Sequence, residues 1–250
     1  MQNKISVIII TGNEEKNIRD CLESVKWADE LIVVDSESSD NTVKIAKEYS
    51  DKVYIQKWLG YAKQKEYAIS LAKNDWVLSL DADERVTKKL SDEILNYNFD
   101  NCRYSAFKIK RDNYFLDKKI NSCGWGNDYQ LRLFKKSNTK LNNRLVHEKF
   151  LVDGEVSKLN NPILHYSYKN LKEGFDKINI YSSLEAEEKY KRKGSSTFKI
   201  LFCPVFAFFH HYFFRKGIKD GKHGLMISLM HSITKLQVMM KVWEIKQNKK

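Results

Sequence analysis

The stretch Trp76–Leu80 (WVLSL) runs directly into Asp81-Ala82-Asp83-Glu84, a short apolar segment that ends in carboxylates. Such a run reads as a strand covered on both faces that delivers acid groups at its carboxyl end. Ser6–Ile10 (SVIII) and Leu31–Val34 (LIVV) repeat the form, and Lys52–Gln56 (KVYIQ) is a shorter version. Helical spacing lies between them. Ile18, Cys21, Leu22 and Val25 fall at i, i+3, i+4 and i+7, predicting a helix from about Glu14 to Lys26. Ser38, Ser39 and Asp40 offer N-cap chemistry for a helix carrying Val43, Ala46 and Tyr49, and Gly60 precedes a helix with Ala68, Leu71 and Ala72 on one face. Strands alternating with helices of this length predict an α/β fold with a mostly parallel sheet and right-handed crossovers.

Ligands of such sheets bind beyond the carboxyl ends of the strands. The polar residues gather there: Thr11, Asn13, Glu14 and Glu15 after the first strand, Asp35 after the second, Asp81 and Asp83 after the fourth. In extended backbone Asp81 and Asp83 point to one face, where two carboxylates repel unless a cation intervenes. Mg²⁺ or Mn²⁺ takes one or two carboxylates and completes its shell from water and phosphate oxygens, so the pair suggests a metal–diphosphate site. Taken alone, Asp-x-Asp reads first as a solvated acidic turn; its place at the end of an apolar strand reverses that preference. Asn13 and Glu14 read both as helix-capping residues and as hydrogen-bonding partners of a ribose or base. No glycine-rich dinucleotide fingerprint follows the first strand.

A length of 250 residues, 42% apolar and 30% charged, accommodates a large domain with an appendage and excludes disorder. The cysteines Cys21, Cys102, Cys123 and Cys203 form no CxxC pair, which suits a reducing compartment. The first residues lack the features of a signal peptide, so a cytoplasmic location is expected. Beyond about Asn101 the pattern changes. Ser105–Arg111 reads as a strand, Gly124-Trp125-Gly126 as a loop, Asp128–Lys135 as a half-buried strand, Asn142–Phe150 as a polar stretch, and Leu171 to about Lys191 as a helix.

The ordered motifs resemble those of family 2 glycosyltransferases: Ser6–Thr11 with Asn13-Glu14-Glu15, Val33-Val34-Asp35-Ser36-x-Ser38-x-Asp40-x-Thr42, Gly60-Tyr61-Ala62-x-Gln64-Lys65, and Leu80-Asp81-Ala82-Asp83-Glu84. Asp128–Phe134 (DYQLRLF) and Val146-His147-Glu148 extend the resemblance to the branch of lipopolysaccharide-core β-1,4-glucosyltransferases of the WaaE type. It implies a GT-A (Rossmann-like) fold, inversion at the anomeric carbon, a UDP-hexose donor and a glycan or lipid-linked acceptor in envelope synthesis. By position it puts Thr11, Asn13, Glu14, Asp35, Lys63, Gln64 and Asp81 at the donor and Asp83 on the metal. Glu148 is the expected base, Asp128 its rival, with Arg132 and His147 beside them. Lys65-Glu66 departs from the Arg-Asn or Lys-Asn of many relatives. The implied division is 1–100 for the nucleotide-sugar half, 101–190 for the acceptor half and 191–250 for a helical extension.

Net charge is +12, with Lys and Arg rich from Lys189 on and aromatic residues between them. Phe198–Phe214 is the most apolar window, broken by Lys199, Pro204, His210 and His211 and closed by Arg215-Lys216. It reads as an interfacial helix on anionic lipid at the inner face of the plasma membrane, or as a core helix; Lys235 and Lys241 are expected to snorkel. Two other functions compete. A metal-dependent nucleotidyltransferase needs a basic glycine-rich loop where this chain has Asn13-Glu14-Glu15, and a non-catalytic membrane-binding module needs no carboxylates at strand ends. No nucleic-acid motif accompanies the charge.

Overall fold

Strand β1 (Ile5–Thr11) is buried at every position because its alternate residues face two different cores. Ile5, Val7 and Ile9 pack in one cluster with Trp76, Leu78 and Leu80; Ile8 and Ile10 pack in the other with Ile32, Val34 and Val77. That double burial is why the sequence shows continuous apolar runs rather than alternation. Each fully buried aliphatic side chain contributes roughly 1.5–3 kcal/mol relative to exposure.

A computed structural model describes residues 4–142, 149–190 and 196–248. The further strands are β2 (Glu30–Asp35), β3 (Val53–Ile55), β4 (Trp76–Asp81), β5 (Glu84–Val86), β6 (Tyr104–Phe115), β7 (Lys118–Lys119), β8 (Asp128–Lys135), β9 (Thr139–Leu141), β10 (Phe150–Val152), β11 (Glu155–Lys158) and β12 (Ile163–Tyr168). The helices are α1 (Ile18–Glu23), α2 (Thr42–Lys47), α3 (Tyr61–Leu71), α4 (Lys88–Leu95), α5 (Leu171–Tyr190), α6 (Thr197–Phe209) and α7 (Gly221–Gln247). The main sheet runs β3-β2-β1-β4-β8-β6-β12-β5. Its first strands are parallel, as expected; β8 then joins β4 antiparallel and β12 joins β5 antiparallel, so the sheet is mixed.

The chain forms two compact units, Met1–Arg111 with Tyr129–His165, and Asp112–Asp128 with Tyr166–Lys250. These differ from a division at 100 and 190, because the boundaries fall inside β6, β8 and β12. In the sheet unit, the helix expected over residues 14–26 shortens to α1. The amides of Glu14 and Glu15 bond to Thr42 Oγ1 (2.8 Å) and Asp40 Oδ2 (3.1 Å), which draws these residues into a turn. At the other end Ser24 Oγ donates to the Cys21 carbonyl (2.7 Å) and accepts from the Val86 amide (3.0 Å).

In the helical unit, α5 buries Gly174, Ile178, Ser182 and Ala186, a stripe at every fourth residue. Ile178 packs with Ile227 and Met230, and Ala186 with Val238 and Val242 of α7. Lys235 and Lys241 do not snorkel. Lys235 pairs with Glu185 (3.1 Å), and Lys241 Nζ donates to the Asn179 carbonyl (2.7 Å) and Ser183 Oγ (2.8 Å). A π-turn, His210–Phe214, follows α6, and His211 stacks on His231 with ring centroids 3.7 Å apart. Burial and then, for His211, the Arg215 charge lower its pKa to about 4; burial and then the His211 neighbour lower that of His231 to about 3. Thr197–Phe214 is long and apolar enough to cross a membrane, yet only 11% of it is buried. Phe198, Phe202, Phe206, Phe209, Phe213 and Phe214 are exposed along it.

Ala186 has no exposed surface. Ala186→Leu should therefore overpack the α5–α7 contact and cost about 1–3 kcal/mol in urea unfolding. An unchanged midpoint would contradict the packing described.

Candidate active site

The parallel register sets the carboxyl ends of three strands side by side. Thr11 of β1 pairs with Asp35 of β2, and Ile10 pairs with Asp81 of β4. The convergence expected from sequence is therefore present at one sheet edge.

Asp81 sits between two cations. Its Oδ2 accepts from Arg132 Nη2 at 2.5 Å, and its Oδ1 lies 3.2 Å from Lys65 Nζ. Arg132 Nη2 also reaches Glu84 Oε1 at 2.5 Å, and Arg111 Nη1 approaches the same oxygen at 3.4 Å. Glu84 is fully buried, and its Oε2 accepts from the Asp81 amide (3.1 Å). Burial pushes the Asp81 carboxyl up, but the Arg132 and Lys65 charges outweigh it and hold the group well below the usual carboxylate range. Burial lowers the Arg132 guanidinium; the two carboxylates overcome this and raise it. Asp81 is thus a fixed anion with both oxygens committed to cations.

Asp83 lies in different surroundings. It is buried at 9% exposure, and its Oδ2 is 3.6 Å from His165 Nε2 on β12. The Asp81–Glu84 turn is held by Arg85, whose Nη1 donates to the Ala82 and Glu84 carbonyls, both at 3.0 Å. Among the described residues no group of three or more His, Cys, Asp and Glu side chains could hold a metal by itself. Asp83 and His165 together fit a cation that draws its other ligands from water and a diphosphate, since one carboxylate oxygen and one imidazole nitrogen face each other.

The remaining expected residues occupy several positions. Thr11 is buried with its hydroxyl lacking a protein partner among the described residues. Asn13 is in the left-handed region (φ 54) and its Oδ1 accepts from the Ser39 amide at 2.9 Å. Glu14 Oε2 accepts from Asn17 Nδ2 at 2.6 Å. Asp35 is fully buried and accepts from the Ser38 amide (2.8 Å) and hydroxyl (2.5 Å). These contacts brace the β1 and β2 loops against neighbouring turns. On α3, Gln64 and Lys65 face inward and Lys63 is exposed. Gln64 Nε2 donates to Ser36 Oγ and the Gln56 carbonyl, both at 3.2 Å. Asp128 belongs to the helical unit, where its Oδ2 accepts from Asn113 Nδ2 (3.2 Å). His147 and Glu148 lie outside the described residues.

Lys65 and Glu84, which the motifs include without a role, and Arg85, Arg111 and His165, which sequence reasoning missed, belong to this site. Lys65 carried a signal, because its spacing from Ala62 and Ala68 puts it on the inner face of α3; His165 carried none. Removing Arg132 strands two carboxylates. Arg132→Gln should cost about 3–5 kcal/mol in urea unfolding at neutral pH. The sign with pH follows from the depressed Asp81 pKa: its stabilisation is full above the unfolded carboxylate range and is lost as pH falls through the folded value. The wild type should therefore keep this contribution to lower pH than the variant. Parallel acid-unfolding curves would contradict the clamp.

A sequence model of glycosyl transferase family 2 matches residues 6–151. An uncharacterized glycosyltransferase of Rickettsia typhi is 34% identical, covering 97% of this chain and 87% of that protein. The lipopolysaccharide core biosynthesis glycosyltransferase LpsC of Rhizobium meliloti is 26% identical, covering 96% of this chain and 92% of its own. The crystal structure of TarS from S. aureus is similar over 88% of this chain and 45% of that one, with a TM-score of 0.46 at 16% identity. With the α/β sheet of the GT-A fold and the Asp81–Asp83 turn at the end of β4, the family model and the Rickettsia relative show that the chain is an enzyme belonging to glycosyltransferase family 2.

Proposed function

We propose that the protein moves a sugar, with inversion, from a UDP-hexose to a glycan or lipid-linked acceptor in envelope glycan synthesis of the lipopolysaccharide-core kind. The observation that carries the reading is the divided pair: Asp81 is locked by Arg132 and Lys65, while Asp83 faces His165 at the end of the same strand. The named role of the Rhizobium relative supports the class of product.

In this reading Asp83 and His165 would hold a divalent ion, which when bound would supply positive charge beside the leaving diphosphate. The locked Asp81 accepts hydrogen bonds from donor hydroxyls without drifting toward the cation. Thr11, Asn13, Glu14 and Asp35 take the nucleoside, with Gln64 behind them and Lys63 at the surface. Glu148 removes the proton from the acceptor hydroxyl, a role worth roughly 10²–10⁴ in rate; Asp128 is the alternative base. The exposed aromatic face of residues 198–214 lies in the headgroup layer of an anionic membrane, with Arg215 and Lys216 at its end. The site would then work at the cytoplasmic surface, on acceptors held there.

Donor recognition is tested by thermal shift with UDP-glucose, UDP-galactose, UDP-GlcNAc and ADP-heptose, with and without Mn²⁺. Asp83→Asn and His165→Ala should each abolish the metal-dependent part of the shift. A metal response equal to wild type would remove both residues from the ion.

Glu148→Gln should lower transfer by at least about 10² while UDP-sugar binding persists. Near-normal turnover would move the role to Asp128, and Asp128→Asn would then show the loss.

A further inference from the structure

The helical unit contains an open cavity of about 720 Å³, lined by residues of two segments, Asn121–Asn127 and Phe214–Asp220. Arg215, Lys216 and Lys219 line it, and among the described residues none of the three pairs with a carboxylate. The one acid in the lining, Asp220, is turned to structural use. Its Oδ2 accepts from the Asn121 amide (3.1 Å), the Ser122 amide (2.9 Å) and Ser122 Oγ (2.6 Å). The two segments are joined again where the Cys123 amide donates to the Arg215 carbonyl at 2.8 Å.

The walls are built rather than incidental. Cys123 (φ 55) and Lys216 (φ 58) both hold the left-handed conformation that non-glycine residues avoid. Gly124 (φ 84) leaves the space that Arg215 occupies, since a Cβ there would stand 2.3 Å from Arg215 Nη1. Three cations against the single Asp220 carboxylate leave the cavity net positive, and a multiply charged anion relieves that excess. A guanidinium beside ammonium groups suits phosphate, the fork matching two oxygens and the lysines adding point charge. Phe214, 78% exposed, lines the same cavity and begins the aromatic face that runs back along α6. Anion chemistry is therefore continuous with an apolar surface.

We propose that this cavity is a binding site for a phosphoryl group, presented by an amphiphile at the membrane or by a soluble phosphorylated glycan. Arg215, Lys216 and Lys219 hold the phosphoryl oxygens, and Asn121 and Asn127 lie within the same cavity for adjacent hydroxyls.

The full chain is titrated with inorganic phosphate in the presence of a chelator, so that a metal-dependent donor site contributes nothing. It is also sedimented with phosphatidylcholine vesicles doped with phosphatidic acid or with phosphatidylglycerol at equal mole fraction. Arg215→Gln with Lys219→Gln should weaken the responding probe about 30-fold, close to five-fold per cation removed. Lys172→Gln, on an exposed turn of α5 outside the cavity, should change nothing. Phosphate binding lost in the double variant identifies a soluble source, and a lost preference for phosphatidic acid identifies a membrane source; either supports the subsite. If the double variant fails to fold, Lys219→Glu at its exposed position replaces it. A folded variant that binds both probes as wild type does overturns the proposal. Failure of the donor reading would appear separately, as absence of metal-dependent UDP-sugar binding in the wild type, and leaves these probes unaffected.

Discussion

At the end of β4 the fully buried Glu84 and the partly exposed Asp81 share one guanidinium nitrogen of Arg132 from β8, and Lys65 on α3 and Arg111 on β6 supply further positive charge. A buried carboxylate without partners costs several kcal/mol, so the turn depends on the pairing of β8 with β4 and on the packing of α3. Much of the sheet unit follows from this. The antiparallel addition of β8 to a parallel sheet delivers Arg132, and the pairing of β5 with β12 delivers His165 to Asp83. The site is assembled by sheet order, and its geometry is as rigid as the ladder that carries it.

The strands β1, β2 and β4 were legible because burial on both faces leaves unbroken apolar runs, and β8 because its alternation fits Asp128–Lys135. The sharing of one edge by Thr11, Asp35 and Asp81 followed from parallel pairing. The partners of the carboxylates were not legible. Arg132 is 51 residues from Asp81, and a buried arginine has the same letter as an exposed one. Arg132 was expected beside the acceptor chemistry, and it reaches Asp81 and Glu84. Local polarity also misled: Glu14 and Glu15 looked like a first helical turn, while their amides are held by side chains of the β2–α2 loop.

The helical unit follows a different rule. Gly174, Ser182 and Ala186, three of the four residues in the buried stripe of α5, are small and let α7 approach closely, and polar bonds from Lys235 and Lys241 fix the pair. The apolar residues of α7 do not by themselves say whether a helix or a lipid covers them. Here α5 covers part of α7, whereas the aromatic side of α6 remains bare.

The stacked imidazoles of His211 and His231 give this unit a response to mild acid. Burial keeps both rings neutral in the folded chain, with pKa values near 4 and 3 against an ordinary 6.5. The unfolded chain binds these protons first, so the stability drawn from the pair is complete above about pH 6.5 and drains away as pH falls toward those values. The Asp81 clamp begins to lose its contribution only once unfolded carboxylates protonate, near pH 4. Mild acidification thus weakens the His211–His231 stack before it touches the Asp81 clamp, an order set by which side chains each contact buries.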